Sequence, residues 1–212
     1  MTEDEIWQVI HARRLGVAAL LDDLAPGEWA RPSLCASWTV RDVAAHLTMQ
    51  QMTLRDELAL LLRWRGGGMD RLTAGAARRR AAAREPAELT AEIRETAAAR
   101  RHNAGVTCLE TLADLLIHEQ DIALALGRRR DMPPPAAAEV ATRLLTMRFP
   151  PPLPSVRRVA GLRLVATDVA WTHGDGPSLE GPIAALLLTI AGRTAGQSEL
   201  SGPGLSQVST RP

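Results

Sequence analysis

Asp114, His118 and Asp121 follow one another at spacings of four and three residues, so a helix through them carries all three on one stripe. A carboxylate and an imidazole at i and i+4 can bind a single divalent cation from one helix. Leu112, Ala113, Leu115 and Leu116 flank Asp114. A carboxylate among such neighbours has to be paired, hydrogen-bonded or metal-bound. His46 stands in a second apolar run, between Val43, Ala44, Ala45 and Leu47. Two helices of a bundle can bring His46 against Asp114 and His118, giving two imidazoles and one carboxylate with a fourth position left for water or substrate. Asp121 would then orient a ligating histidine, or help position substrate. Spacing alone leaves two plainer readings open: a satisfied core histidine, and an ordinary helix ion pair. The pattern is not H-E-x-x-H, because Ile122 stands where the second histidine would fall.

The elements that must position these residues read mostly as helices. Thr2 with Glu5 forms a capping box, and Ile6, Val9, Ile10, Val17, Leu20, Leu21 and Leu24 follow at helical spacing until Pro26-Gly27. Thr39 with Asp42 starts a second helix, predicted to run through Val43, Leu47, Leu54, Leu58 and Leu61 to the glycines Gly66-Gly67-Gly68. Residues 69–86 are rich in arginine and alanine and weakly patterned, which predicts a mobile connection with some helix. A third helix is expected over Ala87 to His102. Thr107 with Glu110 opens the helix that carries Asp114 and His118, and Gly127 is placed to stop it. One further helix is predicted from Ala136 to Met147.

The composition shifts at Pro150-Pro151-Pro152-Leu153-Pro154, which cannot be helical. Two domains are expected, a helical bundle over 1–149 and a small α/β domain over 155–212. In the latter, alternation from Leu162 to Ala170 predicts a strand, Gly174, Gly176 and Pro177 a turn, and Pro182 the first turn of a short helix over Ile183 to Ala191. A segment of about 60 residues is too small for a robust core alone and is expected to pack on the helices.

The chain has 212 residues, 46% of them hydrophobic and 23% charged, as a globular protein does. All 25 basic residues are arginine and oppose 24 acidic ones, so the balance of charge gives no reason to expect nucleic acid or an anionic membrane. Two cysteines, Cys35 and Cys108, suit a reducing compartment. The acidic opening Met1-Thr2-Glu3-Asp4-Glu5 argues against a secretory signal, and Ile183 to Ile190 is far too short to span a bilayer. A cytoplasmic protein is the expectation.

Two segments add a resemblance. Leu34-Cys35-Ala36-Ser37-Trp38-Thr39-Val40-Arg41-Asp42-Val43-Ala44-Ala45-His46-Leu47 resembles the C-x-x-W-T-V-R-D-V-x-A-H-L signature of the mycothiol-dependent maleylpyruvate isomerase family, among the DinB-like bundles. Asp114 to Gly127 resembles the second signature of that family, an acidic residue followed by x-x-x-H-x-x-D. Asp168 to Gly174, Gly181-Pro182 and Gly192-Arg193 resemble its C-terminal domain. The resemblance implies a mainly α fold, a DinB-like four-helix bundle with a small C-terminal α/β segment. It implies a divalent metal, typically zinc, with His46, Asp114 and His118 as ligands, and the low-molecular-weight thiol mycothiol as cosubstrate. In such enzymes the thiolate adds to an activated double bond, rotation follows about the new single bond, and the thiol leaves as the trans isomer forms; relatives transfer the thiol permanently. The family often carries Glu where this chain has Asp114, which is one methylene shorter.

Arg193 matches the Gly-Arg motif of the family and could bind a carboxylate bidentately; the plainer reading is a solvated arginine at a helix C-terminus. Trp38 and Trp171 read as packing anchors. Cys35 and Cys108 read as structural, although Cys108 opens a helix. His173 reads as a loop residue, and the runs Arg78-Arg79-Arg80 and Arg128-Arg129-Arg130 as solvated faces. Together these give an expected metal-dependent enzyme that uses a small thiol as nucleophile on a small electrophile, by isomerisation or S-transfer, as a monomer or homodimer. The catalytic candidates are Asp121 and Arg193. The rivals are a metal-dependent hydrolase working through metal-bound water, and a non-catalytic bundle that binds a ligand or partner.

Overall fold

The computed structural model describes residues 1–62, 66 and 68–210, so Gly67 of the predicted glycine stop lies outside the described residues. It is mainly helical and divides into two compact units, one of Thr2–Arg130 and one of Asp131–Pro212 with Met1.

The first unit contains α1 (Glu3–Asp22), α2 (Val40–Leu47), α3 (Leu54–Leu62), α4 (Met69–Ala83), α5 (Pro86–Glu95) and α6 (Cys108–Ala123). Helix α1 packs on α5 and α6, and α2 on α4, α5 and α6. The predicted caps are present. Thr2 N donates to Glu5 at 2.7 Å, Thr39 N to Asp42 at 2.9 Å and Thr107 N to Glu110 at 2.6 Å. Such caps are each worth about 1 kcal/mol. The core of the unit includes Ile10, Leu21, Leu89, Leu112, Leu115, Leu116 and Ile122, all essentially inaccessible. Each buried side chain of this size contributes roughly 1.5–3 kcal/mol. Gly127, at φ 70°, ends the run after α6 in the left-handed conformation expected of it.

Three expectations about the helices are corrected. The second predicted helix is two. After Leu47 a 3-10 turn covers Thr48–Gln51, and α3 begins anew from a Thr53–Asp56 cap, with Asp56 N donating to Thr53 Oγ1 at 3.2 Å. The Asn103 amide enforces the break: it donates to Met49 O and accepts from Met52 N, both at 2.9 Å, and so replaces helical partners. The expected mobile connection is α4. Its alanines are strong helix formers, and Leu72, Ala77 and Ala81 are buried. The third predicted helix stops at Glu95, where Arg14 Nη1 takes the carbonyls of Thr96 and Ala99 at 3.3 and 2.8 Å.

The second unit contains α7 (Pro134–Thr146), β1 (Arg163–Ala166), β2 (Thr172–His173), β3 (Ser178–Gly181), α8 (Ile183–Ile190) and α9 (Leu205–Thr210). The sheet order is β2-β1-β3, with β1 antiparallel to β2 and parallel to β3; Leu164 pairs with His173 and with Leu179. The predicted strand over 162–170 is cut short at Ala166. Asp168 serves α8 instead: Pro182 precedes the helix, and the Asp168 carboxylate accepts from Ile183 N at 2.8 Å. The expected division between 149 and 155 falls inside this unit. Helix α7 belongs here because Ala136, Ala137, Val140, Ala141 and Leu144 bury a small-residue face, and the helix packs on α8. Among the described residues no helix is long and apolar enough to cross a membrane.

Candidate metal centre

Helix α6 presents Asp114 and His118 on one stripe, and α2, packed against it, presents His46. One ligand atom from each lies within 4.8 Å of the other two. His46 Nε2 is 3.5 Å from Asp114 Oδ2, close to the ~3.3 Å edge of a tetrahedron built on metal–ligand bonds of ~2.0–2.1 Å. The two imidazoles meet edge to face, 5.0 Å apart at 81°. Their side chains are nearly covered, at 14% exposure for His46 and 12% for His118, whereas that of Asp114 is 43% exposed.

The fully buried carboxylate is Asp121, not Asp114 as the apolar flanks suggested. It sits one turn beyond His118, and His118 Nδ1 is 2.8 Å from Asp121 Oδ2. An ionised carboxylate only accepts, so Nδ1 carries the proton and Nε2 keeps its lone pair. Burial works against the charge on Asp114. The hydrogen bond from His46, the neighbouring charges of His46 and His118 and the Gln50 amide outweigh it, and hold the carboxyl below its ordinary value. This donor set fits a divalent cation of the zinc type: two imidazole nitrogens and a carboxylate oxygen on one side, with one histidine already oriented by a buried carboxylate.

The loop before α2 completes the surroundings. Ser33 Oγ donates to Trp38 O at 3.0 Å and accepts from Cys35 N at 3.1 Å. Leu34 N donates to Asp121 O at 3.1 Å, which ties the loop to α6. Arg78 donates to Ser37 O at 2.8 Å, at the one described non-glycine residue with positive φ. Held this way, the Trp38 ring lies parallel to His118 at 6.2 Å and edge-on to His46 at 5.3 Å. Trp38 is thus an anchor for the histidines themselves.

The sequence reading missed Cys35. Its sulfur lies with His118 and Asp121 in a second cluster whose ligand atoms are within 4.8 Å of one another. The available signal was its place three residues before Trp38 in the motif. Cys108 is buried, and burial pushes its thiol up, as a structural residue requires. The arginine runs are not merely solvated faces. Arg80 donates to Thr48 Oγ1 at 2.5 Å, Arg128 to Glu28 at 2.9 Å and Arg130 to Glu119 at 3.0 Å. Arg193 belongs to the second unit, where its guanidinium donates to Ala191 O at 2.6 Å. Trp171 and His173 stack there at 6.2 Å.

Residues 11–106 match the family model of the mycothiol maleylpyruvate isomerase N-terminal domain. No significant match exists among curated proteins. Two solved structures share the fold: the mycothiol-dependent maleylpyruvate isomerase, at 15% identity and a TM-score of 0.60, and a histidine-to-alanine mutant of that enzyme, at 14% and 0.65. Each alignment covers 96% of this chain and 93% of the other. Residues 11–106 are therefore similar to the N-terminal domain of the mycothiol maleylpyruvate isomerase family, and the chain shares its mainly helical fold with that enzyme over nearly its whole length.

Proposed function

We propose that the protein is a metal-dependent, mycothiol-using enzyme that acts on a small electrophile. The convergence of His46, Asp114 and His118 within 4.8 Å carries this reading, supported by the domain match. In it His46, Asp114 and His118 hold a divalent metal, with zinc the best fit to the donors. A cation held there stabilises the anion of a bound thiol and so makes a nucleophile available at neutral pH.

The chain's own residues set the conditions. Asp121 keeps the proton on His118 Nδ1 and the Nε2 lone pair directed at the centre. Trp38 packs against both imidazoles, parallel to His118 and edge-on to His46. The Asp114 carboxyl is held below its ordinary value by the His46 hydrogen bond and its neighbours, which favours its ionised form. Arg193 is proposed, on its Gly-Arg motif, as the group that binds a substrate carboxylate.

Between isomerisation and S-transfer we favour isomerisation, on the domain match. The test follows zinc-loaded protein with mycothiol and maleylpyruvate by product analysis. Isomerisation consumes no thiol and yields the trans diacid; S-transfer consumes thiol and yields a thioether. Thiol-dependent turnover that disappears in His118→Ala is expected. Turnover that ignores the thiol, or none with either outcome, contradicts the proposal.

A further inference from the structure

The two histidines of the centre are not held alike. His118 has Asp121 as the partner of its outer nitrogen, whereas His46 Nδ1 is buried with no hydrogen-bond partner among the described residues. A ligating histidine normally donates this second N–H, which fixes the ring and raises its basicity. Four residues on, in the 3-10 turn that follows α2, stands Gln50, 4% exposed. Its Nε2 donates to Thr111 O at 3.2 Å, one turn before Asp114 on α6. Its Oε1 is the complementary orphan, a buried acceptor with no partner among the described residues. Both side chains reach α6, His46 Nε2 to within 3.5 Å of Asp114 Oδ2 and Gln50 Nε2 to Thr111 O, so the unmatched donor and acceptor stand on the α6 side of this segment.

We propose that Gln50 is a positioning residue that couples two ligands: its amide oxygen accepts the hydrogen bond of His46 Nδ1–H through one buried water, while its nitrogen holds the α6 backbone beside Asp114. The inference rests on the metal-centre reading above. The amide also acts on the Asp114 carboxylate, helping to keep it ionised. A water between the two groups would have the polar partners that a buried site requires. The break between α2 and α3 then has a use, because a 3-10 turn at Thr48–Gln51 sends the Gln50 side chain toward α6.

The test measures zinc affinity, by competition with a chromophoric chelator, for wild type, Gln50→Met and Gln50→Glu, with melting of each metal-free protein as the folding control. Methionine keeps the volume and loses the polar atoms; glutamate keeps an acceptor oxygen. Gln50→Met should bind zinc about 10–100-fold more weakly at a similar melting temperature. Gln50→Glu should bind more tightly than Gln50→Met. A packing role alone predicts the reverse order. Equal affinity in wild type and Gln50→Met, or equal weakening in both variants, overturns the inference and leaves the metal centre standing. A wild type that binds no zinc overturns the metal centre itself. If Gln50→Met does not fold, the zinc-loaded wild type decides: a slowly exchanging His46 Nδ1 proton in a long-range 15N–1H spectrum supports the pairing, and a rapidly exchanging one refutes it.

Discussion

His118 and Asp121 form a 2.8 Å contact between an almost covered imidazole and a carboxylate with no solvent exposure. This contact fixes which nitrogen of His118 faces His46 and Asp114. Asp121→Asn keeps the size of the side chain but can offer its N–H to the ring, which favours the wrong tautomer. It should weaken zinc binding by about 10–100-fold. Competition titration against the wild type checks this, and unchanged affinity would show that Asp121 has no hold on the ligand.

Acid should act on the metal-free protein partly through Asp114. Its folded carboxyl lies below the ordinary value of about 3.9, so the native state gains from its ionisation above that pH and loses the gain as the pH falls through the lower folded value. Asp114→Asn should therefore show a shallower loss of stability than the wild type below about pH 4. Melting curves from neutral to acid pH read the difference; parallel acid limbs would contradict it.

The helical frame was legible because its signals are local. The boxes at Thr2, Thr39 and Thr107 and the stop at Gly127 each depend on residues within a few positions. The stripe of Asp114, His118 and Asp121 was legible for the same reason. The break at Thr48–Gln51 was not, because it depends on Asn103, about fifty residues away, taking over the backbone of Met49 and Met52. The place of Cys35 beside His118 and Asp121 was hidden likewise, since loop packing and not spacing sets it. The burial of Asp114 was misjudged because apolar neighbours in sequence point to other faces of the helix.

Asn103 gives a stability test of that long-range break. Asn103→Ala leaves the Met52 N–H and the Met49 carbonyl without their partner and should cost about 1–3 kcal/mol. Urea unfolding of the metal-free protein measures it. A variant as stable as the wild type would mean that the 3-10 turn holds itself.

The length of the side chain at position 114 can be tested by lengthening it. Asp114→Glu lengthens the ligand by one methylene in a side chain already 43% exposed, so the bundle should accept it with a change in stability within about 0.5 kcal/mol. Zinc should still bind, because the carboxylate is kept. Loss of binding in a folded variant would show that the distance between α2 and α6 is tuned to aspartate.

His46, Asp114 and His118 are proposed to hold a divalent metal. The most direct measurement is elemental analysis of untagged protein, as purified and after zinc add-back, for wild type, His46→Ala and His118→Ala. About one zinc per chain in the wild type, lost in both variants while each stays folded, is the predicted result. No binding after add-back, or zinc that persists without His46 and His118, would contradict the account.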